Sequence, residues 1–192
     1  FNVNDSLDVF LAHSVLDMPK TRLVTISTRQ IYGEACLLSE KLDPSPITQY
    51  GKNKLAVEEY LSKLLSPSQL TILRCSNVFG FELGRKTFFG AMLTSLTNDG
   101  CIKFNISPDT KKDFIPIEDC CEIIFQVVSK KVTGIFNVGS GEATTVKEVA
   151  DSLKKFYNSD INISISGKYR LGDIRHNYAD LTKAKNLLGF SP

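Results

Sequence analysis

The sequence predicts an α/β fold with a parallel sheet, and three observations lead there. Two short apolar runs rich in β-branched residues, RLVTIST (Arg22–Thr28) and LTILRCS (Leu70–Ser76), have the length and composition of buried strands. Between them lies ITQYGKNKLAVEEYLSKLL (Ile47–Leu65), where Val57, Leu61, Leu64 and Leu65 recur at helical spacing. A third strand signal, GIFNVGSG (Gly134–Gly141), returns after a further helical stretch. Strand, helix and strand over these distances is the pattern of parallel strands joined by crossover helices, with both sheet faces covered.

The remaining elements follow in order. The chain opens within a helix whose Leu7, Phe10, Leu11, Ser14 and Val15 make one face, with Asn4 or Asp5 placed to cap it. The helix around Tyr50 takes Ser45 as its cap and Pro46 in its first turn. Residues 79–116 are less regular: a helix is expected near Phe88–Leu96, CIKFNI (Cys101–Ile106) alternates like a half-exposed strand, and DFIPI (Asp113–Ile117) reads as a short one. Glu118–Ser129 is helical. After GIFNVGSG, Thr145 and Glu148 stand at capping-box spacing before another helix. INISI (Ile161–Ile165) is a further strand, and DLTKAKNLLGF a terminal helix closed by Gly189. There is no repeat or low-complexity tract.

Composition excludes several classes of function. Of 192 residues, 23 are basic and 21 acidic, a net charge of +2, and nothing in this balance suggests a surface for nucleic acid or membrane. No apolar run is long enough to cross a bilayer, and no secretory signal pattern opens the sequence. The five cysteines show no CxxC spacing and the two histidines, His13 and His176, lie far apart. Reduced thiols in a cytoplasmic protein without a metal site are therefore expected.

Chemistry enters at Tyr50 and Lys54, one helical turn apart. A tyrosine serves as a general base only when its pKa, about 10 in isolation, is brought towards the working pH. A fixed ammonium one turn away favours the phenolate and can do that. By itself the pair is equally a snorkelling lysine beside a core tyrosine. Its surroundings add weight, because STRQIYGE (Ser27–Glu34) sits at the C-terminal end of a strand, where open α/β sheets bind ligands.

Motifs in register along nearly the whole chain decide the resemblance. YGKNKLAVE resembles the active-site helix of extended short-chain dehydrogenases/reductases, the nucleotide-sugar epimerase and dehydratase family. LRCSNVFG is similar to that family's LRxxNVYG, KDFIPIEDC to its RDFIYVDD, FNVGSGEATTVKEVA to YNVGSGxxxSxxELA, and RLGDIRHNYADLTKAKNLLGFSP to its closing ADxxKAxxxLGxxP block. The resemblance implies the C-terminal part of a Rossmann-like parallel sheet with helices on its faces, plus a small α+β substrate-binding region. It divides the chain into 1–80 and 134–160 on the Rossmann-like side, and 81–133 and 161–192 on the substrate side.

It also implies roles. Tyr50 is the expected acid/base, and Lys54 the residue that lowers its pKa and holds the nicotinamide ribose. Thr28 bonds the reacting sugar oxygen, although alone it also suits a strand-end threonine bonding local backbone. Ser27, Tyr50 and Lys54 are expected to contact the cofactor, NAD or NADP. Asn77, Lys112, Arg170 and Asp173 are expected to contact a nucleotide-sugar substrate, and the assembly expected is a homodimer. Three positions depart from the family pattern: Lys112 for an arginine, which loses the two-pronged fork for phosphate; Pro116 for a tyrosine; and Asn53 for a small residue.

GSGEAT (Gly139–Thr144) imitates the start of a dinucleotide fingerprint, but Thr144 stands where its third glycine belongs, so a tight strand-to-helix turn is expected. The resemblance places the glycine-rich pyrophosphate turn upstream of Phe1. It therefore implies a piece of a longer chain, weak dinucleotide binding and no activity for these residues alone, and an uncovered sheet edge along RLVTIS. Dehydratases of the family follow the Thr28 position with an Asp–Glu pair, the acid and base of water elimination. Arg29 and Gln30 stand here instead. The expected reaction is an epimerisation, with ketosugar reduction or a noncatalytic nucleotide- or partner-binding role as alternatives.

Overall fold

The computed structural model describes residues 6–80, 89–90, 94, 101–104, 106–156, 162–165 and 176–192. Their elements run α1 (Leu7–Val15), β1 (Leu23–Thr28), a 3-10 turn (Arg29–Tyr32), β2 (Leu37–Leu38), α2 (Gln49–Leu64), β3 (Leu70–Cys75) and β4 (Asn77–Phe79). Then come β5 (Cys101–Phe104), β6 (Lys111–Lys112), β7 (Phe114–Pro116), α3 (Ile117–Lys130), β8 (Gly134–Val138) and β9 (Thr144–Thr145). The last are α4 (Val146–Phe156), β10 (Asn162–Ile165), β11 (Tyr178–Ala179) and α5 (Thr182–Leu188).

A parallel sheet in the order β1-β3-β8 organises the molecule. Every residue of β3 is buried, as a central parallel strand requires. Its side chains alternate between two cores. Ile72 joins Val9, Ala12, Val57, Leu61 and Leu65 beneath α1 and α2. Leu73 joins Ile123, Val127, Phe136, Ala184 and Leu188 beneath α3 and α5. Among the described residues β1 pairs with β3 alone and lies at the edge of their sheet, the arrangement the resemblance implied for these residues. A third, smaller core of Ile106, Phe114, Val146, Val149 and Ala150 lies to the side. Near it β5 pairs with β10, β4 with β7 and β6 with β9.

Two details correct the sequence reading. In α1 the buried residues are Val9 and Ala12, whereas Leu7, Phe10 and Leu11 are exposed; the small Ala12 lets α1 lie close against α2. Ser6 takes the N-cap position of α1 and makes no side-chain cap bond, and Asn4 and Asp5 lie outside the described residues. The cap of α2 is Thr48, whose hydroxyl accepts from Gly51 N at 3.0 Å, so the helix starts three residues after Pro46 rather than on it. The capping box at α4 forms as read, with Thr145 N donating to Glu148 at 2.7 Å and Glu148 N to Thr145 Oγ1 at 3.1 Å. Gly189 closes α5 in the left-handed region, at φ 68°. The helix expected at Phe88–Leu96 falls mostly outside the described residues; Phe89, Gly90 and Thr94 are helical.

Candidate active site

The site lies at the C-terminal ends of β1 and β3, where the chain leaves the sheet. Thr28, the last residue of β1, turns its hydroxyl onto Gln30 N at 3.3 Å and caps the 3-10 turn. The local role open to a strand-end threonine is thus filled, and its hydroxyl proton remains available as a donor. Ser27 Oγ is buried and has no hydrogen-bond partner among the described residues.

The first turn of α2 is pinned onto this corner. Thr48 Oγ1 donates to Gln30 Oε1 at 2.7 Å, and Gly51 packs so closely that a Cβ there would come within 2.7 Å of the Gln30 carbonyl oxygen. This docking brings the first turns of α2 to the end of β1. Lys54 Nζ donates to the Ile26 carbonyl at 2.9 Å, two residues from Thr28. Tyr50 is half exposed, at 52%. Burial of its ring face holds its pKa above the ordinary value, with a smaller push from Cys75. The Cys75 thiol is itself pushed well up by its bond to Cys120 and by burial, so it stays uncharged and burial is the operative cause. Lys54 lies one turn beyond Tyr50 on α2, and its ammonium serves a backbone carbonyl.

One turn further along α2, Glu58 is buried against Arg74 of β3. The guanidinium donates from Nε at 3.1 and 3.2 Å and from Nη2 at 2.6 Å. Burial pulls the Arg74 pKa down, and the Glu58 carboxylate more than offsets it, so the group stays charged. Arg74 also lies 4.8 Å over the Tyr32 ring, and Tyr32 donates to Asn137 Oδ1 at 2.8 Å. Helix α2, the turn and the sheet are thereby tied at one point.

A second polar group centres on Asn77 and Asp113. The buried Arg29 donates to Asn77 Oδ1 and Asn177 Oδ1, joining positions 148 residues apart. Asn77 Nδ2 donates to the Asp113 carbonyl at 2.7 Å. The Asp113 carboxylate accepts from Ser140 N, Ser140 Oγ, Gly141 N and Ala179 N at 2.7–3.2 Å. That answers the question raised by GSGEAT: the amides a phosphate would use are occupied by an internal carboxylate. Lys112 is half-buried next to Asp113, on a strand paired with β9. Arg170 and Asp173 lie outside the described residues.

The sequence reading missed Glu58, Arg74, Tyr32 and Asp113 as parts of the site. The signal for Glu58 was present: Tyr50, Lys54 and Glu58 recur every four residues, on one helix face.

A profile of the NAD dependent epimerase/dehydratase family matches residues 2–139. The chain belongs to this family. Among curated relatives, the GDP-6-deoxy-D-talose 4-dehydrogenase of Aggregatibacter actinomycetemcomitans is 28% identical over 186 residues, which is 93% of this chain and 63% of that protein. The dTDP-L-rhamnose 4-epimerase of Burkholderia thailandensis is 28% identical over 162 residues, 80% of this chain and 44% of that protein. The chain thus spans about two thirds of one relative's length and less than half of the other's. The structure of UDP-N-acetylglucosamine 4-epimerase from Methanobrevibacter ruminantium M1 covers the whole chain at TM-score 0.86 and 22% identity, with 63% of that chain matched. UDP-glucuronic acid 4-epimerase from Bacillus cereus, in complex with UDP-glucuronic acid and NAD, gives TM-score 0.80 and 24% identity, with 96% and 62% of the two chains covered. These likenesses establish the Rossmann-like fold of the epimerase/dehydratase family.

Proposed function

We propose that the protein acts, with NAD or NADP, as an epimerase of a nucleotide-activated sugar. The observation that carries the reading is the docking of α2 onto the turn after Thr28, with Lys54 bonded to the Ile26 carbonyl two residues before Thr28. The donors there suit a ribose-bearing cofactor: Ser27 Oγ is buried with its hydrogen-bonding capacity unused, and Lys54 is within reach. When bound, the nicotinamide accepts and returns the hydride.

The chain's own residues handle the proton. Tyr50 takes it from the sugar hydroxyl while Thr28 bonds the same oxygen. Because burial works against the phenolate, Lys54 has to turn its ammonium from the Ile26 carbonyl towards the ribose and the phenol, which lowers the Tyr50 pKa. Asn77 and Lys112 hold the sugar and phosphates, Lys112 as a point charge. Arg170 and Asp173 serve the nucleotide. Residues 1–80 and 134–160 form the cofactor side, and 81–133 and 161–192 the substrate side. Arg29 bonds two asparagines and Gln30 accepts from Thr48, so neither supplies the carboxyl groups that a dehydration needs.

The test is to offer the intact protein UDP-, dTDP-, GDP- and CDP-hexoses with catalytic NAD and to resolve the products by NMR. An epimer is expected, and Tyr50→Phe is expected to lose nearly all turnover while still binding nucleotide sugar. Rapid formation of a deoxy-ketosugar refutes the reading. A second reading, reduction of a 4-ketosugar, is favoured by the relative named as a 4-dehydrogenase; consumption of stoichiometric reduced cofactor identifies it. Leu7, Phe10 and Leu11 give α1 an exposed apolar face suited to a second copy of the chain in a cytoplasmic homodimer. Sedimentation of the intact protein should give a dimer, and of the Phe10→Asp variant a monomer.

A further inference from the structure

We propose that Tyr32 is a positioning residue for the reaction, its hydroxyl bond to Asn137 setting the turn on which Thr28 and the start of α2 are seated; the inference rests on the reading given under Proposed function. Tyr32 ends the 3-10 turn that Thr28 opens by capping Gln30 N. One short turn thus has the expected sugar contact at its head and a buried phenol at its foot. That phenol reaches far. The sheet runs β1-β3-β8, and from the turn after β1 the Tyr32 hydroxyl passes the central strand to donate to Asn137 Oδ1 of β8 at 2.8 Å. On the way its ring lies 4.8 Å from the Arg74 guanidinium of β3. The strand register explains the path, because Ser27, Arg74 and Asn137 stand in one row across the three strands. Ile72 and Ile135, two positions before Arg74 and Asn137, pack beneath α1 and α2, so the row faces α2 as well. Arg74 meets Glu58 of α2 on that face.

The bridge is rigid at both ends. Asn137 is buried, its Nδ2 donates to the Leu38 carbonyl at 2.7 Å, and its backbone N donates to Glu40 Oε1 at 2.8 Å, so its Oδ1 is held still to accept from the phenol. Burial raises the Tyr32 pKa above the ordinary phenol value and the Arg74 charge opposes this only in part, so Tyr32 keeps its proton and serves as a donor. The turn itself has little slack. Ser45 N donates to the Ile31 carbonyl at 2.9 Å, and a Cβ on Gly33, at φ 70°, would stand 2.1 Å from the Ser45 carbonyl oxygen. Gln30, inside the turn, accepts from Thr48 and packs its carbonyl against Gly51. A displacement of Tyr32 therefore reaches Thr28 through the turn, and reaches the helix that carries Tyr50 and Lys54 through Gln30. A misplacement of about 1 Å at reacting groups costs on the order of a hundredfold in rate, so slight loosening of this bridge registers in kcat.

The test uses the intact protein carrying Tyr32→Phe, which deletes one hydroxyl and keeps the ring beside Arg74. Amide hydrogen exchange read by mass spectrometry, without substrate, is expected to quicken at least tenfold over residues 29–33 and 48–52 and to keep the parent rate over α4. Steady-state kinetics with the nucleotide sugar that the wild type converts should show kcat lowered at least tenfold, with KM and NAD affinity within threefold of the parent. In a Thr28→Ala background, Tyr32→Phe should lower kcat by a much smaller factor, because the group it places is gone. A merely structural role would multiply the two losses, and that result overturns the proposal. So does an unchanged kcat, unchanged exchange over residues 29–33, or exchange that quickens equally over α4, the mark of general loosening. A wild type that converts no nucleotide sugar defeats the reading under Proposed function, and the exchange measurement then decides by itself whether Tyr32 sets the turn. Should Tyr32→Phe not fold, Asn137→Ala removes the acceptor from the β8 side, and parent-like exchange over residues 29–33 in that variant decides against the proposal.

Discussion

Removing the Glu58 charge tests how α2 is held. Glu58 and Arg74 are buried together, with side chains 5% and 4% exposed, and their closest contact is 2.6 Å. In Glu58→Gln the side chain keeps its shape while Arg74 keeps its charge, now facing an amide. Removing one partner of a buried pair costs about 3–5 kcal/mol, because the other is left as an uncompensated charge. The Tyr32 ring 4.8 Å from the guanidinium relieves part of this, so the lower half of that range is expected. For a chain of this size roughly 2–4 °C of melting temperature accompany each kcal/mol, which gives a fall of about 6–16 °C. Urea unfolding followed by far-ultraviolet circular dichroism measures it, with the m-value checked for constancy. The double variant Glu58→Leu/Arg74→Met removes both charges and should recover most of the loss. A Glu58→Gln midpoint shift worth under about 1 kcal/mol would refute the reasoning, since that is the range of an exposed pair.

Two further perturbations separate competing effects. Gly51→Ala sets helix propensity, which favours alanine by about 1 kcal/mol, against a new Cβ 2.7 Å from the Gln30 carbonyl; overpacking of this kind costs about 1–3 kcal/mol, so urea unfolding should show net destabilisation. Glu148 has its pKa lowered by the Thr145 backbone and hydroxyl bonds, so its contribution is present above the ordinary glutamate range and is lost as pH falls through the folded value. Urea midpoints compared at pH 6 and pH 3 should therefore fall less in Glu148→Gln than in the parent; equal falls would remove the capping box as a source of acid sensitivity.

How much of this was legible in the sequence differs by kind of interaction. The strands were readable because a central parallel strand is mostly apolar, as Leu70–Cys75 is apart from Thr71 and Arg74. Tyr50 and Lys54 were readable because helical spacing puts them on one face. The α1 face was misread because Leu7, Phe10 and Leu11 repeat as regularly as Val9 and Ala12, and composition does not say which side meets a neighbour. Close approach to α2 selected the smaller residues. Thr48 was passed over for Ser45 because both precede an apolar run, and only the closed geometry shows which hydroxyl reaches an amide. The Arg29, Asn77 and Asn177 contacts were invisible for another reason. Each is an ordinary polar residue until the fold brings distant segments together.

That closure has a consequence for how the chain is made. β2 finds its strand partner in β11, so Leu37 waits for Tyr178 and Leu38 for Ala179. Asn177, Tyr178 and Ala179 also supply Arg29, Cys36 and Asp113 with partners. On a ribosome adding about 5–20 residues each second, the corner beside Thr28 stays without these partners for many seconds after the edge strand has emerged. Pairings this distant in sequence also form slowly, because the loop must close before any contact rewards it. Helix α2 can dock early through local contacts, while the polar frame around Arg29 and Asp113 is among the last parts to set. The corner beside Thr28 is therefore completed only when residues near the far end of the chain arrive.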